Sequence, residues 1–101
     1  MRKISDEEIY LNELTNSNNW LVLSRSYELS EKIIDKFSDK VFWNYISIHQ
    51  KLSEEFIAKF ADKVSWDFVY LNQHLSKEFI KKHKDKFNWP FIDYYKKLGR
   101  T

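Results

Sequence analysis

The chain has no cysteine, one glycine and one proline in 101 residues. The missing cysteine removes disulfides, thiolate zinc sites and a cysteine nucleophile from consideration. A single glycine, Gly99, and a single proline, Pro90, leave almost nothing from which to build primed hairpin turns or glycine-rich phosphate loops. Helices joined by short turns are what remains. No run of apolar residues approaches the roughly 18 that a membrane-spanning helix needs. The opening Met1-Arg2-Lys3-Ile4-Ser5-Asp6 has no apolar segment behind its basic residues, so no signal peptide is expected and the expected location is cytoplasmic. Against these shortages stand 43% hydrophobic, 32% charged and 18% aromatic residues, too aromatic for a disordered chain. The length suits one domain with a modest core.

The aromatic residues are ordered. Tryptophans fall at Trp20, Trp43, Trp66 and Trp89, always 23 residues apart, and a leucine follows each by nine: Leu29, Leu52, Leu75 and Leu98. Three of these leucines precede Ser30, Ser53 and Ser76, then the apolar pairs Ile33-Ile34, Phe56-Ile57 and Phe79-Ile80. Each copy continues through Asp39-Lys40-Val41, Asp62-Lys63-Val64 or Asp85-Lys86-Phe87 to the next tryptophan. A fixed period of this kind marks a repeat architecture. The reading is one all-α domain, residues 1–101, of four tandem helix-turn-helix repeats of about 23 residues in a short solenoid-like stack. Its copies are a degenerate first repeat at 4–28 and repeats at 29–51, 52–74 and 75–98. In the first copy Trp20 comes two residues late, and Asn16-Ser17-Asn18-Asn19 replaces the Asp-Lys turn.

Each copy reads as two short helices. Ser30, Ser53 and Ser76 are N-caps by type, and Ser5 with Glu8 forms a capping box. Acids follow the caps (Glu31, Glu54, Glu55) and Lys36 and Lys59 close the first helix, both in accord with the helix dipole. The second helix starts near the tryptophan, with Asn19, Ser65 and Asn88 at the cap position and Pro90 inside the first turn. Helices this short are marginal alone and must be held by packing. Ile33, Ile34 and Phe37 share one stripe, as do Phe56, Ile57 and Phe60. The second and third positions after each tryptophan are apolar throughout (Val22-Leu23, Tyr45-Ile46, Phe68-Val69, Phe91-Ile92) and are expected to meet that stripe.

The stretch Leu52-Ser53-Glu54-Glu55-Phe56-Ile57 through Asp62-Lys63-Val64-Ser65-Trp66-Asp67-Phe68-Val69 resembles a short helical repeat found in proteins of giant DNA viruses and in small phage and bacterial proteins. The resemblance covers residues 29–98 well and the first copy poorly. It implies a viral or phage interaction module acting in the host cytosol, and brings no functional residues with it.

No motif for catalysis is present. The tryptophans read as repeated core anchors, and Asp39, Asp62 and Asp85, one repeat apart, as caps of the turn between helices. His49, His74 and His83 are spread through the copies with no zinc spacing, His83 standing where Phe37 and Phe60 stand. Neither a Ser/His/Asp motif nor a Walker or dinucleotide loop occurs. A non-enzymatic protein without cofactor or metal is expected.

Two departures from the pattern point to partners. Residues 75–101 carry eight Lys/Arg, including Lys81 and Lys82, against three acids, which leaves the preceding 74 residues at −3 in a chain of net +2. A basic end on an acidic body suits phosphate or an acidic protein face. Aromatics also interrupt polar positions. Phe42 precedes its tryptophan where other copies have Asn19, Ser65 and Asn88; Tyr70 falls four after, in place of Ser24, Ser47 and Asp93; and Tyr95 six after, in place of Ser26, His49 and Asn72. Positions one, four and eight after the tryptophan are expected to face away from the apolar stripe, and exposed aromatics favour interfaces. The leading expectation is a protein–protein interaction module, such as an anti-CRISPR-type inhibitor of a host defence protein, meeting its partner through Phe42, Tyr70, Tyr95, Lys81 and Lys82. Nucleic-acid or nucleoprotein binding through the basic last copy, and a self-assembling structural repeat, are the alternatives.

Overall fold

The computed structural model describes residues 1–99. Helices dominate: α1 (Asp6–Leu14), α2 (Trp20–Ser26), α3 (Glu31–Lys36), α4 (Trp43–His49), α5 (Glu54–Lys59), α6 (Trp66–Asn72), α7 (Lys77–Lys82) and α8 (Trp89–Lys97). The caps act as the sequence predicts. The hydroxyls of Ser5, Ser30, Ser53 and Ser76 accept from the N–H groups of Glu8, Ile33, Phe56 and Phe79 at 3.1, 3.1, 3.2 and 3.1 Å. Asn19 and Asn88 cap α2 and α8 through their side chains, whereas Ser65 makes no such bond.

The turn between the helices differs from expectation. Asp39, Asp62 and Asp85 are exposed. The backbone closes the turn instead, with Lys40 and Val41 N–H donating to the Phe37 carbonyl at 2.9 and 3.1 Å and Lys63 and Val64 repeating this on Phe60 at 2.9 and 3.0 Å. The tryptophan completes it: indole N–H groups of Trp43, Trp66 and Trp89 donate to the carbonyls of Ser38, Ala61 and Lys84 at 2.9, 2.9 and 3.3 Å. Each indole thus caps the turn that precedes it. Trp20, shifted by two residues, donates to the Glu13 carboxylate at 2.9 Å.

The core follows the 23-residue spacing. Third positions after the tryptophan are inside: Leu23, Ile46, Val69 and Ile92 are at most 5% exposed. Ile9, Ile33, Ile34, Phe56, Ile57 and Phe79 come from the first helices, and Val41, Val64 and Phe87 from the turns. The first three tryptophans pack forward against the end of the following first helix, Trp20 on Phe37 at 4.8 Å, Trp43 on Phe60 at 5.0 Å and Trp66 on His83 at 5.0 Å, while Trp89 packs back on Tyr70 and Phe87. His83 therefore ends the core as a ring in the phenylalanine place. The helices α2, α4, α6 and α8 pack side by side in chain order. The extents are 44 × 27 × 18 Å and the radius of gyration is 14.6 Å, above the roughly 13 Å of a compact domain this size.

Polar side chains join each copy to the next. Gln50, 2% exposed, donates its amide to the carbonyls of Ser24 and Tyr27 at 3.0 and 2.7 Å, and its oxygen accepts from Leu29 N–H at 2.9 Å. Gln73 repeats this one copy later, on Ser47 and Gln50 carbonyls at 3.1 and 2.6 Å and on Leu52 N–H at 3.0 Å. The Ser24 and Ser47 hydroxyls accept from the N–H groups of Phe42 and Ser65 at 3.1 and 2.9 Å. Glu31 and Glu54 accept from both the N–H and the hydroxyl of the next N-cap, Ser53 and Ser76. These groups need partners because they lie at helix ends and in links, where backbone bonds run out.

Two short strands stand outside the all-helical expectation. β1 (Arg2–Lys3) pairs in parallel with β2 (Tyr27–Glu28), Arg2 opposite Tyr27. Tyr27 holds the place that Gln50 and Gln73 hold later, and all three have extended backbone. The link before the leucine is thus strand-like in the first three copies, whereas in the last the equivalent Lys96 lies inside α8. The first link takes both a strand, β1, and the Gln50 carboxamide; the second takes the Gln73 carboxamide, which does the work of a neighbouring peptide group.

Candidate interaction surface

The second position after the tryptophan, expected in the core, is only half-buried: Val22, Tyr45, Phe68 and Phe91 form a stripe across the four packed helices. The reason is geometric. With the third position pointing straight inward, the second lies about 100° round the helix and reaches the flank. Along that flank Phe68 meets Phe91 and Tyr95 edge-on, both at 6.1 Å, and Phe91 lies 5.8 Å from Tyr95. Tyr45 stacks on His49 at 6.1 Å and lies under the Arg25 guanidinium at 6.0 Å. Between α4 and α6 the stripe opens into a groove of about 440 Å³ bounded by Phe42, Trp43, Tyr45, Ile48 and Phe68. Its walls are mainly aromatic and aliphatic, with Asn44 as the polar group.

The structure distributes the five residues singled out in the sequence. Phe42, 47% exposed, forms one wall of the groove. Tyr95 joins the same aromatic flank through Phe68 and Phe91. Tyr70 does not. The fourth position after the tryptophan points inward, since Ser24 and Ser47 there are fully buried. Tyr70 turns its ring onto Phe87 and Trp89 at 5.6 and 5.2 Å, beneath the Lys96 ammonium at 5.2 Å. Having lost the serine hydroxyl, this junction uses another acceptor, and Asn88 N–H donates to Asp67 at 2.8 Å. Lys81 and Lys82 are exposed in the last turn of α7, on a different element from the groove. Sequence reasoning missed Tyr45 and Phe68, whose signal was their apolar character at a position assigned wholly to the core, and Ile48, to which it gave no role.

The strongest electrostatic arrangement lies at the first copy. Glu13 accepts from Lys40 at 2.6 Å and from Asn18 and Trp20 at 2.9 Å each. The Lys40 ammonium, then the Asn18 amide, hold the Glu13 carboxyl below its ordinary value, and Glu13 raises Lys40. This cluster fastens the degenerate turn and explains why Trp20 tolerates its shift. The histidines do not converge: His49 lies against Tyr45, His83 against Trp66, and His74 is exposed. Among the described residues no group of three or more potential metal ligands forms, and no helix is long and apolar enough to cross a membrane. No protein family matches the chain, and neither a curated protein nor a solved structure gives a significant match.

Proposed function

We propose that this chain is a non-enzymatic protein–protein interaction module, a short solenoid-like stack of four helical hairpins that meets its partner through the aromatic groove between α4 and α6. The observation that carries the reading is Phe42. It is a large apolar ring in a position that is polar in the other copies, it makes no side-chain cap bond for its helix, and it stands exposed beside Tyr45, Ile48 and Phe68. A contiguous apolar groove with aromatic walls is the surface type that buries well against a protein. The resemblance to the repeats of giant-virus and phage proteins extends the proposal to an effector that occupies a host protein, an inhibitor of a defence complex being one form.

The test is affinity purification from a lysate of the natural host, using wild type, Phe42→Ala/Phe68→Ala and Lys81→Ala/Lys82→Ala. Removing two aromatic walls is expected to weaken a partner about 30-fold or more, the cost of losing a central hot spot. The lysine variant keeps the partner. Circular dichroism checks that both variants fold. Equal recovery of every partner by the aromatic variant refutes the groove.

A further inference from the structure

The glutamine ladder ends one step early. Adding 23 to Gln50 and Gln73 leads to Lys96, and the backbone groups that a third glutamine would join are the carbonyls of Tyr70 and Gln73 and the N–H of Leu75. A cavity of about 330 Å³ lies at this place, lined by Tyr70, Gln73, His74, Leu75, Ile80 and Lys96 among others. A lysine has three donors and no acceptor, so Lys96 cannot receive the Leu75 N–H. Its ammonium sits over the Tyr70 ring instead, at 5.2 Å.

We propose that this slot takes a glutamine side chain from another protein, presented on an extended segment that lies along the link at residues 73–76. Three observations support it. The same backbone arrangement is filled by a carboxamide at both preceding junctions, with all six bonds between 2.6 and 3.1 Å. Only a carboxamide among side chains supplies both the donors for two carbonyls and an acceptor for the N–H; a carboxylate only accepts and an ammonium only donates. At the first link, where Gln50 fills the slot, a true strand, Arg2–Lys3, adds in parallel as well, so a link of this kind holds a carboxamide and an extended chain together. The slot thus repeats a junction built twice within the protein. Its rim, Lys96 and His74, favours an acidic residue beside the incoming glutamine. Tyr70 has its role here: its ring holds Lys96 aside and forms one wall. This site is separate from the aromatic groove and does not depend on it.

The experiment uses the full chain and the synthetic peptide acetyl-Ile-Asp-Gln-Asp-Leu-Ser-amide, followed by ¹H–¹⁵N NMR. The Leu75 amide resonance is expected to shift and saturate, and replacing the peptide's glutamine by norleucine to weaken binding about tenfold or more. Lys96→Gln is expected to fill the slot from within: the Leu75 resonance moves without peptide, Tm rises, and affinity for the peptide falls about tenfold. Lys96→Ala, which leaves the slot open, keeps glutamine-over-norleucine selectivity, and Phe68→Ala keeps peptide affinity. The proposal is overturned by equal binding of the two peptides or by absence of binding. It is equally overturned if affinity is unchanged in Lys96→Gln or lost in Phe68→Ala. A loss confined to Phe68→Ala would place the peptide in the aromatic groove.

Discussion

Replacing Gln50 by leucine removes one side chain and three bonds at once while keeping most of its volume. The carboxamide bonds Ser24 and Tyr27 carbonyls at 3.0 and 2.7 Å and Leu29 N–H at 2.9 Å, in a place only 2% exposed. Each bond contributes on the order of 1 kcal/mol net, and each buried backbone group left without a partner costs about 1–3 kcal/mol. Leucine returns about 1 kcal/mol through its apolar atoms. Two of the three groups are carbonyls with a second lone pair, which puts the cost near the low end of that range, so the balance is a loss of about 2–4 kcal/mol, a large share of the roughly 5–15 kcal/mol that stabilises a domain of this size. In urea unfolding followed by tryptophan fluorescence, with m about 1.3 kcal/mol/M, the midpoint falls by about 1.5–3 M. Gln73 makes the same three bonds but is half-buried, so water can replace part of what Gln73→Leu removes, and its loss is smaller. An unchanged midpoint for Gln50→Leu, or a larger effect at Gln73, refutes the view that these carboxamides couple the copies.

Tyr70 and Asp67 form a linked pair of changes. Asp67→Ala is expected to cost about 1 kcal/mol by removing the acceptor of Asn88 N–H, and markedly less in a Tyr70→Ser background, where a hydroxyl can accept as Ser47 does for Ser65. A double-mutant cycle by urea unfolding measures this, and strict additivity counts against it. Glu13 sets an acid response: its carboxyl is held below the ordinary 4.5 by Lys40. Because the folded value is the lower one, its stabilisation is present above 4.5 and is lost as pH falls through the folded value. Thermal melts from pH 7 to 3 are expected to converge for wild type and Glu13→Gln at the acid end, with wild type the more stable at neutral pH. Parallel curves would show that the pair adds nothing.

Much of the helical layout was legible because caps and periodicity are local. A serine before an apolar pair bonds its own first turn, and residues 23 apart repeat the same environment whatever the final shape. Ser30, Ser53 and Ser76, and the inward Ile46, Val69 and Ile92, follow from that alone. The outward faces were less legible. A seven-residue helix presents two apolar neighbours, such as Tyr45 and Ile46, and periodicity cannot say which is covered until the adjacent helix is placed. The inward turn of Tyr70 had a signal in Ser24 and Ser47, yet a serine suits both solvent and a buried bond to a distant N–H.

The sequence by itself determined where helices start, where the first helix of a hairpin closes, which residues recur and that the aromatic rings anchor them, since these depend on contacts within a few positions of the chain. Only the tertiary structure decided that Gln50 and Gln73 act as peptide surrogates, that Arg2–Lys3 forms a strand and that Phe42 opens a groove with Phe68. Those facts join groups 18 to 26 residues apart, and a long-range hydrogen bond leaves no mark on either partner until folding brings the two together.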